Sequence, residues 1–314
     1  MAPENGPAAL VLTATVARRY YLDGVSKSDI AAELGLSRFK VARLLDKARA
    51  TGIVRIELHS ASEINLDLSV RLGAAYELRH CVVVDAPEDD DELLRSALGR
   101  AAARLLAEII EPGDMLGLAW ARSLMAMRAS LTDLPRCDVV QLTGALSLPA
   151  DDSAIELVRD VARRSAGQAL FFYAPMVLPD AATARALRTQ PEIARALAAY
   201  PKVTKAVVGV GAWERGLSTV ADALPEAERD EIYARGVRSE LSGVQLDAEG
   251  NPVATSLTDR LIAITAEQLH AVPEVIAIAY GTPKAGAVRA AIRGGFVTSL
   301  VTHAAMADEL LRLS

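Results

Sequence analysis

The sequence predicts an α/β protein in two parts, with a short all-α helix-turn-helix domain followed by a mainly parallel α/β domain. The first observation is charge. Between Val16 and Arg55 there are nine Lys or Arg residues and four acidic residues, although the whole chain has a formal net charge of -6. The second is the pattern that follows, in which short apolar runs alternate with longer helical ones, as in a parallel sheet covered on both faces.

Length and composition are those of a globular protein. The chain has 314 residues, of which 51% are hydrophobic and 24% charged, which excludes a largely disordered protein. No apolar run approaches the roughly 18 residues of a membrane helix, and the N-terminus lacks the pattern of a secretion signal. We therefore expect a cytoplasmic protein. Cys81 and Cys137 lie in apolar stretches, which favours two buried thiols over a disulfide.

Three helices are expected in the N-terminal domain, which we place at residues 1–58. Ser26 and Ser37 are the expected N-caps of the second and third helices, because a serine hydroxyl can accept a free N–H of the first helical turn. Gly35 ends the second helix, since glycine adopts the left-handed conformation without a steric penalty. The predicted helices span about 8–22, 27–34 and 38–50, and alternation predicts a short strand at 53–58.

The second and third helices have the spacing of a helix-turn-helix. Ala31 is small enough for a close helix crossing, and the third helix places basic side chains on its outer face. Such side chains can reach phosphates and base edges when the helix lies in the major groove. The candidate DNA-binding residues are Ser26, Lys27, Ser37, Arg38, Phe39, Lys40, Arg43 and Lys47. The alternative is an ordinary three-helix bundle whose charged face is only solvated.

A leucine-rich amphipathic helix from Ile64 to Tyr76 is expected within a linker or oligomerisation segment at residues 59–78. The larger α/β domain then covers residues 79–314. Its predicted strands are 81–85, 115–119, 139–143, 169–172, 206–211, 275–280 and 296–301. Its predicted helices are 91–109, 122–131, 153–166, 190–200, 225–236, 284–293 and 303–313. A hairpin from Val244 to Val253 is expected to turn at residues 249–251.

Candidate ligand-binding residues follow the predicted strands, because parallel α/β sheets bind ligands at the carboxyl ends of their strands. Lys284 begins a helix at such a place and can approach a phosphate, although a solvated surface lysine is the alternative. Glu240 either binds sugar hydroxyls or is an exposed acid. Gly209-Val210-Gly211 can bring backbone amides near a ligand but lacks the dinucleotide-binding fingerprint. Trp120 and Trp213 either stack on a sugar ring or belong to the core.

Several motifs in order along nearly the whole chain resemble one family. They are Ala17-Arg18-Arg19-Tyr20-Tyr21, Ser28-Asp29-Ile30-Ala31, Val140-Gln141-Leu142-Thr143-Gly144, Tyr173-Ala174-Pro175-Met176-Val177-Leu178 and Ala290-Ala291-Ile292-Arg293-Gly294-Gly295. Together they resemble the SorC family of sugar-responsive bacterial regulators. The resemblance implies a winged or wing-like helix-turn-helix and an effector domain similar to sugar-phosphate isomerases and deaminases. It also implies operator DNA, a sugar or sugar-phosphate effector, and a homodimer or homotetramer.

The same resemblance places the effector at strand ends. The implied effector-binding residues are Gly117, Ala121, Arg122, Ser123, Gly144, Gly209, Gly211, Glu240 and Lys284. Two positions differ from the family pattern. Ala121-Arg122-Ser123 stands where the family usually has Gly-x-Thr, and Thr302-His303 stands where it usually has Thr-Asp. The cation at Arg122 either contacts an anionic ligand or points to solvent and changes the ligand class.

Three functions are compatible with these observations. The first is a DNA-binding regulator controlled by a sugar or sugar-phosphate. The second is a sugar-phosphate isomerase or deaminase with a DNA-binding domain, although Asp222, Glu240 and Asp259 show no pairing for proton transfer. The third is a constitutive DNA-binding oligomer without a ligand. The histidines are scattered without metal-ligand spacing, so we expect no metal and no other cofactor. We favour the first function, without enzymatic activity.

Overall fold

The computed structural model describes residues 6–55, 63–146 and 154–314. Contacts divide the chain into two compact units, Met1–Leu58 and His59–Ser314, which we call the N-terminal unit and the C-terminal unit. Across these described ranges, no helix is both long and apolar enough to cross a membrane.

The N-terminal unit is all-helical over its described residues. Its helices are α1 (Pro7–Tyr21), α2 (Lys27–Leu34) and α3 (Arg38–Ala50). The predicted caps are confirmed, because the Ser26 hydroxyl accepts the Asp29 N–H and the Ser37 hydroxyl accepts the Lys40 N–H, both at 3.2 Å. Gly35 ends α2 with a φ of 63°, as expected of a left-handed C-cap glycine.

The three helices share a small apolar core. Ile30 and Val41 are fully buried between α2 and α3, and Ala31 allows the two helices to cross closely. Val16 closes the core from α1. The predicted strand at 53–58 is not found in its described part, since residues 53–55 form no strand, and residues 56–58 lie outside the described residues.

The C-terminal unit alternates helices and strands. Its helices are α4 (Leu66–Ala75), α5 (Asp91–Ile109), α6 (Arg122–Ser130), α7 (Ala154–Arg164), α8 (Ala181–Arg188), α9 (Pro191–Leu197), α10 (Thr219–Asp222), α11 (Glu226–Ala234), α12 (Ala266–His270), α13 (Ala285–Arg293) and α14 (Ala304–Leu313). Its strands are β1 (His80–Val84), β2 (Met115–Leu118), β3 (Asp138–Gln141), β4 (Ala169–Leu170), β5 (Lys205–Val208), β6 (Gly211–Ala212), β7 (Ser239–Leu241), β8 (Val244–Leu246), β9 (Glu274–Ile278) and β10 (Ser299–His303).

Seven strands form one sheet in the order β1-β10-β9-β5-β2-β3-β4, and all their pairings are parallel. Successive side chains of a strand point to opposite faces, so Val83 joins the core on one face and Val84 the core on the other. Val275 and Ile276 of β9 divide in the same way. The predicted mainly parallel α/β fold is confirmed.

A second, antiparallel sheet of β6, β7 and β8 adjoins a small core around Trp213. The predicted hairpin is present where β8 turns back, because Leu246 forms a bridge with Pro252. The tighter turn at Ser242-Gly243, which joins β7 to β8, was not predicted. The strand predicted at 296–301 begins later, at Ser299, and Phe296 and Val297 are core residues that precede it.

The two cysteines are free thiols. Cys137 is buried as expected, but Cys81 is only half-buried, because β1 is an edge strand of the sheet. Burial nevertheless raises the pKa of the Cys81 thiol to about 12, so the thiolate form is disfavoured.

Candidate functional site

Helix α3 presents an exposed basic face. Arg38, Lys40 and Arg43 are exposed, and none of them forms an ion pair with another described residue. Phe39 lies among them and is 85% exposed. A phenylalanine so exposed adds nothing to the core, so this face is available to a partner.

Two other predicted DNA-binding residues lie in less exposed positions. Lys27 is half-buried, with its Nζ 5.5 Å from the ring centroid of Tyr20, a cation–π arrangement. Lys47 is also half-buried, one turn beyond Arg43 on α3. Arg19, in contrast, pairs with Glu33 at 2.8 Å and ties α1 to α2. Arg38, Lys40 and Arg43, which form no ion pair with another described residue, are therefore available to a partner, whereas Arg19 stabilises the unit itself.

The C-terminal unit contains a pocket at the carboxyl ends of its parallel strands. Its walls include residues 119–123 after β2, 143–144 after β3, 209–211 after β5, and Lys284 beyond β9. Glu240 of β7 and Ser242 of the β7–β8 turn form another wall. Parallel α/β sheets bind ligands at this edge, so the pocket lies where the sequence predicted a ligand site.

The N-terminus of α6 forms one wall. The N-cap is Ala121, which provides no side-chain hydrogen bond to the free amides of the first turn. The Ser123 hydroxyl donates to the carbonyl of Ile278 at 3.1 Å and fixes α6 to β9, so this side chain has a structural partner. Arg122 is exposed at the pocket wall. Free amides and a nearby cation are both suited to an anion.

Lys284 lines the pocket from the end of a short 3-10 helix, Thr282–Lys284. The Gly281 N–H donates to Nε2 of His303 at 3.2 Å, and the Thr282 N–H donates to Glu88 at 2.6 Å. Burial, and then the charge of Arg122, lower the pKa of Lys284 from its ordinary value, while the charges of Asp91 and Glu240 act in the opposite direction. Two cations that line one pocket and repel each other favour a negatively charged ligand.

Glu240 is buried at the pocket wall, with 6% of its surface exposed. Its two carboxylate oxygens accept hydrogen bonds from the Gly243 N–H at 2.7 Å and the Ser218 hydroxyl at 3.1 Å. Burial raises the pKa of Glu240 to about 7, although both hydrogen bonds and the charge of Lys284 favour the ionised form. A carboxyl group of this kind can accept hydrogen bonds from ligand hydroxyls when ionised and donate one when protonated.

The predicted glycines allow close packing around the pocket. A Cβ at Gly209 would lie 2.7 Å from the Ala121 Cβ, and one at Gly144 would lie 2.7 Å from the backbone of Met176. Gly117 lies within β2 and does not line the pocket. Its assignment to the effector site is corrected, because a Cβ there would meet the Leu142 side chain at 2.8 Å, which makes it a packing glycine.

The structure brings the other predicted effector residues together around this pocket, which is lined by Ala121, Arg122, Ser123, Gly144, Gly209, Gly211, Glu240 and Lys284. Trp120 lines it as well, whereas Trp213 is 1% exposed and donates its ring N–H to the Arg229 carbonyl, so it belongs to the core. Ser218 and Ser242 were missed from sequence, because nothing local to these serines indicates that they reach the pocket.

An exposed basic helix on one unit and a cation-lined pocket in the other define a class of protein, a DNA-binding regulator with a separate ligand-binding domain. Residues 61–312 match the family described as "Putative sugar-binding domain". The chain belongs to this family and, with its N-terminal helical unit, to the SorC family of transcriptional regulators.

Similar proteins agree with this assignment. The chain is 30% identical over 301 residues to the "Uncharacterized transcriptional regulator YjhU" of Escherichia coli K12, covering 93% of this chain and 92% of the relative. It is 29% identical over 310 residues to the transcriptional regulator LsrR of Klebsiella pneumoniae, covering 96% and 93%. The crystal structure of the full-length sorbitol operon regulator SorC from Klebsiella pneumoniae matches with a TM-score of 0.74 at 25% identity, covering 97% and 99%.

Proposed function

We propose that the pocket binds an anionic sugar-type effector, such as a sugar phosphate, and that this effector controls the affinity of α3 for operator DNA. The observation that supports the anion is the pair of cations at the pocket. Neither Arg122 nor Lys284 forms an ion pair with another described residue; Arg122 is the first residue of α6, whose N-terminus is uncapped, and Lys284 lines the same pocket. A phosphate there would gain charge-assisted hydrogen bonds and relieve the repulsion between the two cations.

Glu240 supports a polyhydroxylated ligand. The carboxyl group is buried without an ion-pair partner among the described residues, and its pKa is about 7. Near neutral pH it therefore exchanges between an acceptor and a donor of hydrogen bonds. Sugar hydroxyls can serve either form, whereas a purely apolar ligand would leave the carboxyl group without a new partner. The pocket thus combines a place for negative charge with a place for hydroxyl groups.

The DNA-binding role is supported by the basic face of α3 and by the relatives, which are named transcriptional regulators. We propose that α3 enters the major groove, with phosphates contacted by cations and base edges read by its N-terminal half. The proposed contact residues are Ser26, Lys27, Ser37, Arg38, Phe39, Lys40, Arg43 and Lys47.

Control by the effector requires two arrangements of the protein that the ligand binds with different affinity. We propose a homodimer or homotetramer as the assembly that provides them, since paired helix-turn-helix units bind two operator half-sites. Leu66 and Val70 lie four residues apart on α4 and are 38% and 69% exposed. An apolar pair on one helix face supports pairing of subunits through α4.

Binding without turnover is the better interpretation of the pocket. Proton transfer next to a carbonyl needs a carboxylate or histidine free to reach the substrate. Glu240 can still form a hydrogen bond with a ligand hydroxyl, but Gly243 and Ser218 hold its two oxygens in place, and no second carboxylate or histidine among the described residues is hydrogen-bonded to it. Asp222 accepts the Gly216 N–H at 2.9 Å, and Asp259 does not line the pocket. We therefore propose that the protein is not an enzyme.

The experiment that tests this function joins ligand binding to DNA binding. Purified full-length protein is screened by thermal shift against phosphorylated sugars, free sugars and sugar acids, because a ligand specific for the folded state raises the melting temperature. DNA affinity is then measured by fluorescence anisotropy on a duplex that the wild-type protein selects from a random library. We expect a phosphorylated sugar to raise the melting temperature and to change DNA affinity by at least fivefold.

Lys284→Ala should shift both responses to much higher concentrations of the sugar while leaving DNA affinity without ligand unchanged. Lys202→Ala is the matched control, because it removes one positive charge at an exposed position that does not line the pocket. The proposal is contradicted if only neutral sugars bind, or if a bound phosphorylated sugar leaves DNA affinity unchanged. Release of a chemically altered sugar, detected by NMR, would contradict the absence of enzymatic activity.

A further inference from the structure

The turn between β7 and β8 has an unusual backbone at Ser242. Ser242 and Gly243 have φ angles of 55° and 90°, so both residues of this tight hairpin turn are left-handed. Asn-Gly, Asp-Gly and Gly-Gly are the usual choices for such a turn, because other residues are strained at positive φ. Backbone strain of this kind persists where the surrounding structure enforces it, and it clusters at functional sites.

The Ser242 side chain adds a second observation. Ser242 is 8% exposed, and its Oγ is shielded from solvent without a hydrogen-bond partner in the described part of the chain. Most buried hydroxyl groups in proteins are paired, because an unpaired one loses its bonds to water and gains nothing. The hydroxyl therefore contributes no bond that would justify serine over glycine in this turn.

The position of the turn explains both features. Ser242 lines the same pocket as Glu240, which precedes it by two residues on the same hairpin. The turn also directs the Gly243 N–H to a carboxylate oxygen of Glu240 at 2.7 Å. One strained turn thus contributes two residues to the wall of one pocket, Glu240 with its hydrogen-bonded carboxyl group and Ser242, whose hydroxyl has no hydrogen-bond partner in the described part of the chain.

We propose that Ser242 is a specificity-determining residue whose hydroxyl forms a hydrogen bond with one hydroxyl group of the sugar effector. This inference rests on the proposed function, because it requires the effector to occupy the pocket. The bound sugar completes the hydrogen bonding of Ser242, and a sugar that lacks the corresponding hydroxyl leaves Oγ unpaired. Discrimination against a deoxy sugar follows because only the parent sugar gains this hydrogen bond, whereas Oγ has no partner among the described residues before binding and gains none from the deoxy form.

The test compares matched pairs of ligands on matched variants. Ribose 5-phosphate with 2-deoxyribose 5-phosphate, and glucose 6-phosphate with its 2-, 3- and 4-deoxy forms, are titrated calorimetrically into wild-type protein and Ser242→Ala. We expect wild-type protein to bind one deoxy form roughly 10- to 100-fold more weakly than its parent sugar. In Ser242→Ala the parent should lose a similar factor, and the difference between parent and deoxy form should largely disappear.

Two further variants separate recognition from folding. Ser242→Gly removes the hydroxyl and relieves the positive φ, so it should discriminate as poorly as Ser242→Ala while melting no lower than wild type. Ser239→Ala is the control on the same hairpin, because the Ser239 hydroxyl donates to the Ala287 carbonyl at 2.9 Å and does not line the pocket. It should lower the melting temperature and leave the discrimination between parent and deoxy sugars intact.

The outcomes distinguish this inference from the proposed function. If wild-type protein binds none of the phosphorylated sugars, the proposed effector class is wrong, and the proposed role of Ser242 is wrong as well. If it binds a phosphorylated sugar and Ser242→Ala binds the parent and every deoxy form as wild type does, only the role of Ser242 is wrong. A loss of affinity in Ser242→Ala that couples to no deoxy position means that the hydroxyl acts on the turn and not on the ligand.

Discussion

The exposed face of α3 and the wall of the pocket both present cations that form no ion pair with another described residue, but one set is exposed and the other is partly shielded. Arg38 and Lys40 are exposed on α3, whereas Lys284 is half-buried and its pKa is lowered by burial and by Arg122. Exposed charges are screened by salt, so DNA affinity depends on how many of them act together. Charges in a pocket are less screened, so their exact placement decides which ligand binds.

The largest expected effect is a loss of DNA affinity when the exposed cations of α3 are removed. Replacing Arg38, Lys40 and Arg43 together by alanine should lower DNA affinity by roughly a thousandfold at low salt, because three phosphate or base contacts are lost. The slope of log affinity against log salt should also become shallower by about 3. Fluorescence anisotropy between 50 and 200 mM salt measures both quantities on the selected duplex.

Arg49→Ala is the control for that triple variant. Arg49 also lies on α3, but it pairs with Asp46 at 2.6 Å. Its removal should change neither the salt slope nor the affinity by more than about twofold, because an exposed ion pair contributes little. Equal losses in the two variants would mean that DNA responds to the general charge of the unit and not to the exposed face of α3.

The second effect concerns the buried carboxyl group of the pocket. The pKa of Glu240 is raised from 4.5 to about 7 by burial, so the folded protein holds a proton that the unfolded chain has already lost above pH 4.5. Stability from this group is therefore present below pH 4.5 and is lost as the pH rises through 7. Glu240→Gln should unfold like wild type near pH 4.5 and be more stable by about 3 kcal/mol at pH 8.

Urea denaturation of the full chain across this pH range measures the difference. Glu249→Gln is the control, since Glu249 is exposed on the following turn. It should differ from wild type by only a small amount, because its side chain is exposed. A constant difference between Glu240→Gln and wild type would show instead that the pocket stabilises the ionised carboxylate fully.

The third effect compares the two cations of the pocket. Lys284→Ala should weaken binding of a phosphorylated sugar by roughly 30-fold, because a hydrogen bond to a charged group in a shielded place is lost. Arg122→Ala should weaken it by roughly fivefold, because Arg122 is exposed and better screened. Isothermal calorimetry with the sugar that gives the largest thermal shift measures both. The reverse order would place the anion at the outer edge of the pocket, by Arg122.

The sequence predicted the three N-terminal helices and the parallel sheet well, because their patterns are local. Ser26 and Ser37 are typical N-cap residues, and Gly35 is a typical C-cap residue. Apolar runs such as that of β9 indicate buried strands. The rule that ligands bind at strand ends indicated Lys284, whereas Arg122 was assigned to the same site only through the family resemblance.

The remaining part of the site depends on tertiary packing. Gly117 lies near the end of β2, whereas Gly144 and Gly209 follow their strands, and the neighbouring Leu142 side chain shows that the role of Gly117 is packing. Strands β6, β7 and β8 have two or three residues each, too few for an alternating pattern. The position of Ser242 in the pocket could therefore not be predicted from the sequence, because it arises from a turn between two such strands.

The smallest expected effect separates the two serine caps of the N-terminal unit. Both hydroxyls accept a backbone N–H at 3.2 Å, so Ser26→Ala and Ser37→Ala should each lower the stability of that unit by about 1 kcal/mol. The Ser26 hydroxyl also donates to Asp29 at 2.7 Å, whereas that of Ser37 donates to no described residue. The Ser37 proton is thus available to a phosphate or a base at the start of α3.

Ser37→Ala should therefore weaken DNA binding by roughly fivefold beyond its effect on stability, and Ser26→Ala by no more than about twofold, because the Ser26 proton is already donated to Asp29. Amide hydrogen exchange in α2 and α3 of the full chain measures the stability of the caps, and anisotropy on the selected duplex measures DNA affinity. Equal effects of the two variants on DNA affinity would mean that both serines act only as helix caps and that neither contacts DNA. A larger effect of Ser26→Ala would move the contact to the start of α2, and the exposed cations of α3 would then act without help from the hydroxyl at its N-cap.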